Sequence, residues 1–403
     1  MTKIRVLHPI TRLIIGGAQE NTMLTADLMN NGTVGKDPYQ VEIVSGPQTG
    51  PEGSLIEEVR QRGIPLTILP GMRRELSPLN DLRVIGQLRR LMTAENGRPR
   101  YDIVHTHSSK AGVVGRLAAA KAKVPLIIHT VHGWSFHDRM PPGRRGFYVA
   151  LERIAARYSH KMIVVSPKDI DKGLEQGIGR PDDYVLIRSG IELDRFGHPI
   201  VPPAEMRRRL GIPLEAPVIG SVTRLSPQKS PLDLIDAFAH VQQQRPDTWL
   251  VVVGDGLLRP QVEQRLEELG IASRVVLTGL RRDIPELMAA FDIFVLSSLW
   301  EGLPRVLPQA MASGLPIVCT AADGTAEAVV DGENGFLTPR GQPEALAARV
   351  LTLLADEQLR REMGENGRFR APEFGAVKMV QDIDNLYRLL GGDPHEWGSS
   401  HLP

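Results

Sequence analysis

The chain has 403 residues, 42% apolar and 24% charged, with a net charge of +1; it is too long for one typical domain, and two are expected. No apolar run reaches 18 residues, and the first residues lack the long apolar stretch and small-residue cleavage site of a secretory signal, so neither a membrane-spanning helix nor a signal peptide is expected. The single cysteine, Cys319, excludes an internal disulfide and a cysteine zinc cluster and fits a reducing cytoplasm.

Charge is spread unevenly. Residues 1–200 hold 28 Lys and Arg against 20 Asp and Glu, and residues 201–403 hold 20 against 27. A basic first half suits an anionic partner such as phospholipid, a lipid-linked phosphate or nucleic acid. Ordinary scatter plus residues for a ligand phosphate accounts for it equally well. No zinc-finger spacing or aromatic RNA-binding motif is visible, so no nucleic-acid partner is expected.

Arg5–Ile10 reads as a first strand. A turn containing Gly16 and Gly17 follows, then a helix to about Met29. Paired glycines let backbone approach a ligand closely, or simply make a turn; the spacing is not G-x-G-x-x-G, so no dinucleotide fingerprint is read. Strand-like runs recur at Val41–Val44, Leu66–Leu69, Ile103–His105, Leu126–Thr130, Met162–Val165 and Tyr184–Ile187, with helix-like segments between. This alternation predicts an α/β class with a mostly parallel, doubly wound sheet, whose ligands bind beyond the carboxyl ends of the strands.

Two strand ends in this half carry chemistry: His105-Thr106-His107-Ser108-Ser109-Lys110, and His129-Thr130-Val131-His132-Gly133. Four histidines so placed raise a metal site, but no carboxylate cluster accompanies them, and the expectation is no metal, with most of them structural and one or two facing a ligand. Ser108 or Ser109 is expected to cap the next helix. His137–Phe147, with Arg139, Arg144 and Arg145, reads as an exposed basic loop, and Arg73 and Arg74 form a smaller one. With Lys110 these cations are candidates to face an acidic membrane or an anionic acceptor; plain solvated loops fit the same residues.

The prolines of Gly197–Pro203 mark a linker. Beyond it the alternation restarts with strand Val218–Val222, helix Pro231–Gln243, strand Trp249–Val253, helix Arg259–Leu269 and strands at Val275–Leu277 and Pro316–Cys319. Arg224 and Lys229 follow a strand and precede a helix, as a diphosphate site requires; a surface ion pair would look the same. Gly254-Asp255-Gly256 reads as a tight turn. An apolar run, Phe291–Leu296, leads through a polar turn to a helix expected from near Leu303 to about Ser313, with Glu301 at its mouth. Helix N-termini attract anions. Glu301 and Gln309 would lie about two turns apart if all between them were helix; a strand–helix unit merely capped by Glu301 fits too. Phe374–Leu390 reads as an amphipathic helix with Val377, Val380, Ile383, Leu386 and Leu389 on its apolar face, and the tail, 392–403, is expected to be flexible.

Taken together in this order, Gly16-Gly17, His132-Gly133, Ser189-Gly190-Ile191-Glu192, Arg224…Lys229, Gly254-Asp255-Gly256 and Glu301…Gln309 resemble the motifs of the retaining, nucleotide-sugar-dependent glycosyltransferases of family 4. The resemblance runs from Ile4 to about Leu390. It implies a GT-B fold: two Rossmann-like domains with the active site in the cleft between them and a terminal helix that returns to the first. Domain 1, the acceptor-binding domain, is then expected at 1–198 plus 375–391, and domain 2, the nucleotide-sugar-binding domain, at 199–374.

Carried over by motif, Arg224 and Lys229 would bind the donor diphosphate and stabilise the leaving group. Gly16, Gly17, Gly302, Leu303, Arg305 and Val306 would contact phosphate or sugar; Pro304 has no N–H to give. Glu301 would accept from sugar hydroxyls, and His132 would sit near the reacting carbon. Gln309 stands where the family has a second Glu that grips the ribose, and an amide offers one acceptor oxygen in place of two. Ser189 stands where Asn is common. The resemblance also implies retention without a nominated nucleophile, unlike the carboxylate pair of retaining glycosidases, and no metal or other cofactor. It is nearest to the branch that builds capsule, exopolysaccharide and O-antigen units. A UDP-sugar donor, a saccharide or lipid-linked acceptor and a place in the cytoplasm at the inner face of the membrane follow as expectations. A non-catalytic nucleotide-sugar-binding protein, suggested by Gln309, and a GT-B epimerase are the alternatives.

Overall fold

The structure, a computed structural model, describes residues 3–34, 38–48, 53–75, 77–136, 140–322 and 324–391. Runs of Val, Ile and Leu too short for a helix of useful length become strands, and the longer amphipathic stretches between them become the crossover helices that parallel strands require. Contacts divide the chain into two units, Met1–Gly190 with the terminal helix Ala376–Gly391, and Ile191–Gly375. Ile191–His198, expected with the first domain, pack with the second unit, where Ile191 and Phe196 join the core.

The first unit holds strands β1 (Ile4–Ile10), β2 (Tyr39–Ser45), β3 (Leu66–Ile68), β4 (Ile103–His107), β5 (Leu126–Val131), β6 (Lys161–Val164) and β7 (Tyr184–Leu186). All pair in parallel, in the order β3-β2-β1-β4-β5-β6-β7. The second holds β8 (Val218–Val222), β9 (Trp249–Val253), β10 (Val275–Gly279), β11 (Ile293–Leu296), β12 (Ile317–Thr320) and β13 (Gly335–Thr338), again all parallel, in the order β10-β9-β8-β11-β12-β13. Apolar side chains bury both faces of each sheet. The strand order reverses between β1 and β4 and between β8 and β11; these are the switch points at which doubly wound sheets open a crevice for ligands.

The terminal helix buries Met379, Val380, Ile383, Leu386 and Tyr387 in the first unit's core, whereas Val377 and Leu389, expected on that stripe, are exposed. Polar bonds help fix its docking: Tyr39 donates to Asp384 at 2.5 Å, the Tyr387 hydroxyl meets His105 Nδ1 at 2.6 Å, and Gly190 N–H donates to Met379 Sδ at 3.1 Å. Elsewhere in this unit the helices Ser109–Lys121 and Pro142–Ala156 are joined by a buried ion pair, Arg116 to Glu152 at 2.6 Å. Removing either partner would leave an uncompensated buried charge.

The helix after β4 is not capped as expected. Ser108 occupies the N-cap position but makes no capping bond; its hydroxyl lies 2.8 Å from that of Thr11. Thr11, just past β1, supplies the cap in its place by accepting from the Ala111 N–H at 3.1 Å. Replacing Thr11 by Val keeps the shape and removes that acceptor, and the variant should lose about 1 kcal/mol of stability; an unchanged urea midpoint would show that the tertiary cap contributes nothing.

Candidate functional site

In the second unit, the loop after β11 and the loop after β8 meet at the switch point. The β8 chain ends in Arg224 and a short 3-10 turn, Pro227–Lys229, and Ser230 then takes a left-handed conformation (φ 42°) before the helix Pro231–Gln244. Residues 297–301 lie across this turn. Ser297 donates to the carbonyls of Lys229 (3.0 Å) and Ser230 (2.9 Å), Gln228 donates to Trp300 O (2.9 Å), and Leu299 N–H donates to Gln228 O (2.8 Å). From the far side Thr320 donates to Ser298 O and Arg340 donates to Leu299 O at 3.0 Å. The loop is thus a backbone lattice rather than a free connection.

That lattice sets one charged contact. Lys229 Nζ donates to Glu301 Oε1, and the Ser298 hydroxyl donates to the same oxygen at 2.6 Å. The Glu301 side chain is 6% exposed and that of Lys229 20%. A carboxylate so deeply placed needs such partners, because an unpaired buried charge costs several kcal/mol. Both bonds fall on Oε1. Arg224, by contrast, is exposed and has no ion-pair partner among the described residues. Its loop rests on Gly254-Asp255-Gly256: a Cβ on Gly254 (φ 130°) would lie 1.9 Å from Thr223 O, and one on Gly256 2.4 Å from Leu225 O. The motif is not itself the expected tight turn: Gly254 bridges to Gly279, and the turn follows at Leu257 and Leu258, where Arg259 N–H donates to Gly256 O; its glycines let the two strand-end loops touch backbone to backbone on either side of Arg224.

The helix after Glu301 begins later than expected. It runs Val306–Ala312, with Arg305 at the N-cap position, so only the last four residues of Glu301–Gln309 are helical and the two-turn spacing does not apply. Pro304, which has no N–H and restricts the residue before it, delays the start. Gly302 is exposed, Leu303 is buried, and Arg305, Val306 and Gln309 are half-buried.

In the first unit the histidines divide by strand face. Leu7 pairs with Val104, so His8 on β1 lies beside His105 on β4, and His105, His107 and Thr130 share that face by the period of two. Thr106 and His129 lie on the other, bonded to each other at 2.9 Å. His8 Nδ1 meets His107 Nε2 at 2.7 Å, and His107 Nδ1 meets His132 Nε2 at 3.1 Å. His105 is held at both nitrogens, by Tyr387 and by Thr130 at 2.6 Å each. Burial drives His8 down to about 3 and keeps His105, His107 and His129 well below the ordinary imidazole range. The nitrogens of His8, His105 and His107 lie within 4.8 Å of one another, close enough to share a metal ion; yet both nitrogens of His105 and of His107 are engaged in the bonds just named, so a metal would have to displace them.

Gly16 and Gly17 open the helix Gly17–Asn30 after β1. The basic residues separate. Arg73 and Arg74 are exposed. Lys110 is not the open cation expected: it pairs with Asp81 at 2.6 Å, its side chain 8% exposed, and also donates to Glu75 O. The segment expected as a basic loop is helical from Pro142, because proline at a first helical position is favourable. Arg144 lies exposed on that helix, 5.9 Å from the centroid of Tyr148, and Arg145 is half-buried. Arg139 and the tail 392–403 lie outside the described residues. Sequence reasoning missed Ser298, Gln228, Thr11 and His8. No local signal flags the last of these, because the pairing of β1 with β4 that sets His8 beside His105 exists only in the folded sheet.

Comparison with known proteins follows the same division. Residues 35–190 match the glycosyl transferase 4-like domain and residues 203–370 the glycosyl transferases group 1 domain. The chain is similar to the UDP-Gal:alpha-D-GlcNAc-diphosphoundecaprenol alpha-1,3-galactosyltransferase of Escherichia coli, 29% identical over 96% of this chain and 97% of that one. It is 30% identical to EpsD of Bacillus subtilis (strain 168) over 79% of this chain and 83% of that one. Among solved structures it resembles Anabaena HepE in complex with UDP and glucose, with a TM-score of 0.79, 25% identity and coverage of 96% and 100%. On sequence and on fold, the chain belongs to the group 1 (family 4) glycosyltransferases of GT-B fold.

Proposed function

We propose that this glycosyltransferase moves a sugar from a UDP-sugar to a hydroxyl of a lipid-linked saccharide in surface-polysaccharide synthesis, with retention of configuration and without a metal ion. The observation that carries the reading is the buried Lys229–Glu301–Ser298 contact beside exposed Arg224 at the β8/β11 switch point. The ammonium of Lys229 has three N–H donors; one serves Glu301, and the others can reach a diphosphate together with the planar guanidinium of Arg224. These two cations would supply the charge that a metal supplies elsewhere, as the bond to the leaving diphosphate breaks. Glu301 Oε2 would accept from a donor-sugar hydroxyl, and Gln309 would hold one ribose hydroxyl through its amide. Residues 302–306 would contact sugar or phosphate.

Two relatives support the nucleotide and the acceptor: the Escherichia coli enzyme is named for a UDP-sugar and a diphosphoundecaprenol-linked acceptor, and the Anabaena structure holds UDP. The exposed Arg73, Arg74 and Arg144 would face anionic lipid or its phosphate. Among the described residues no helix is long and apolar enough to cross a membrane, so such contact would be peripheral. Gln309 favours a second reading, a protein that binds a nucleotide-sugar without turning it over.

A thermal-shift screen against UDP-, GDP- and ADP-sugars, with and without EDTA, tests the donor. One UDP-sugar at 100-fold excess over its Kd should stabilise the protein by about 2.7 kcal/mol, with the same shift in EDTA. A shift that needs a divalent ion, or one with another nucleotide alone, would overturn the reading. Product analysis by NMR then decides turnover and anomeric configuration, and separates transfer from mere binding.

A further inference from the structure

The two loops that meet past β8 and β11, residues 224–230 and 297–301, carry three charged side chains: Arg224, Lys229 and Glu301. Their sum is +1, where the two cations alone would give +2. Ser298, which is fully buried, donates to Glu301 Oε1, and the Glu301 side chain is 6% exposed against 20% for Lys229. The ammonium is thus the more open end of the pair and the carboxylate the deeper one. Loop geometry does not require that carboxylate. Lys229 and Ser298 both donate to one oxygen, and an amide oxygen in the same place would accept from both. A sugar hydroxyl would also be met by an amide. What the carboxylate adds is its charge.

That charge bears unequally on the two sides of the reaction. In a UDP-sugar the outer phosphate is esterified. When the bond from sugar carbon to phosphate oxygen breaks, its electron pair stays on that oxygen, and the acceptor's proton passes to it and on to solvent. A terminal phosphate has a second pKa near 6, so free UDP carries about one more negative charge at neutral pH than the ester it came from. A site of charge +2 would therefore hold the product harder than the donor. An anion bonded to the far side of the Lys229 ammonium lies two hydrogen-bond lengths from Glu301, roughly 6 Å, where a unit charge in partly screened surroundings changes affinity by about tenfold. The more highly charged ligand feels it more.

We propose that Glu301 is the counter-charge of the diphosphate site: by standing behind Lys229 as an anion it limits the hold on the free nucleoside diphosphate, so that the product leaves after transfer. This rests on the reading in which Lys229 and Arg224 take the diphosphate. It gives Glu301 a part at the phosphate that is separate from the sugar hydroxyl. The two parts fall on different oxygens: Oε1 faces the ammonium and Ser298, and Oε2 is left for the sugar.

The test is calorimetry of the full-length protein with UDP, which has no sugar and so leaves the hydroxyl contact out, near neutral pH and at low salt. Glu301→Gln keeps an acceptor for Lys229 and Ser298 and removes the charge; it should bind UDP about tenfold more tightly than the wild type. Glu301→Asp keeps the charge on a shorter stem and should stay within about threefold of the wild type. The gain in Glu301→Gln should shrink as salt is raised, because screening weakens a charge effect and leaves a packing effect alone. UDP should also become a correspondingly stronger product inhibitor of that variant. Unchanged or weaker UDP binding in Glu301→Gln overturns the proposal, and so does an equal gain in Glu301→Asp. Either outcome, with UDP bound by the wild type, leaves the diphosphate reading standing. A wild-type protein that binds no UDP defeats that reading and the proposal together.

Discussion

The protein should lose its fold steeply as pH falls from 6.5 toward 5. His8, His105, His107 and His129 are buried, and desolvation keeps all four from taking a proton in the native state, His8 down to about 3. In the unfolded chain each titrates near 6.5. Above that value both states are neutral and the native state carries no penalty. Below it the unfolded chain binds protons that the native chain does not, so stability falls as pH falls, by about 1.4 kcal/mol per pH unit for each histidine. Four together give roughly 5 kcal/mol per unit, against a typical total stability of about 5–15 kcal/mol. Circular dichroism and tryptophan fluorescence followed from pH 8 to pH 4 should show cooperative unfolding near pH 5. A signal flat to pH 4 would mean that these imidazoles are protonated inside the fold, and the network of bonds among them would then be wrong.

Lys229→Ala should be the most damaging single change to donor use. The ammonium makes charge-assisted bonds, each worth about 1.5–3 kcal/mol, whereas a neutral amide bond such as Gln309 can offer is worth about 0.5–1.5 kcal/mol. Calorimetry with the UDP-sugar found by the screen should therefore show about 10–100-fold weaker binding for Lys229→Ala and less than about tenfold for Gln309→Ala. Because the charge also develops on the leaving diphosphate, kcat/KM should fall further, by about 100–1,000-fold. Lys229→Ala also takes from Glu301 its charged partner and leaves it the Ser298 hydroxyl, so the unliganded protein should melt lower as well. Glu301→Gln, which keeps a group for Ser298 to meet, separates the two losses: its melting temperature should change less than that of Lys229→Ala. Equal loss of affinity in Lys229→Ala and Gln309→Ala would remove Lys229 from the diphosphate.

The elements easiest to read were those with one strong local signal. Val218–Val222 and Trp249–Val253 are strands over those very residues, because short β-branched runs bounded by turns fit little else. The strand Gly335–Thr338 passed unnoticed: it has only four residues and opens on a glycine whose added Cβ would lie 2.2 Å from Ile317 O. The start of the helix at Pro142 was hidden by its own composition, since Pro-Pro-Gly-Arg-Arg-Gly reads as a loop until proline is allowed the first helical position. At the site, Lys229 and Glu301 were each legible from their motifs, but their contact across 72 residues was not. The same holds for His8, which no local pattern ties to His107 across 99 residues; strand order supplies that link, and strand order is a property of the folded sheet.

The docking of Ala376–Gly391 makes the first unit discontinuous in the chain while the second, Ile191–Gly375, is continuous. During synthesis from the N-terminus the two therefore mature in reverse order. The second unit's whole sequence has left the ribosome, and can close its own core, while the first still lacks the helix that bonds to His105 and Tyr39 and whose Met379, Val380, Ile383, Leu386 and Tyr387 complete the core that holds Ile43, Ile128 and Ile163. Nearly 190 residues made before the second unit wait for a segment made after it, with an apolar sheet face open to chaperones in the interval.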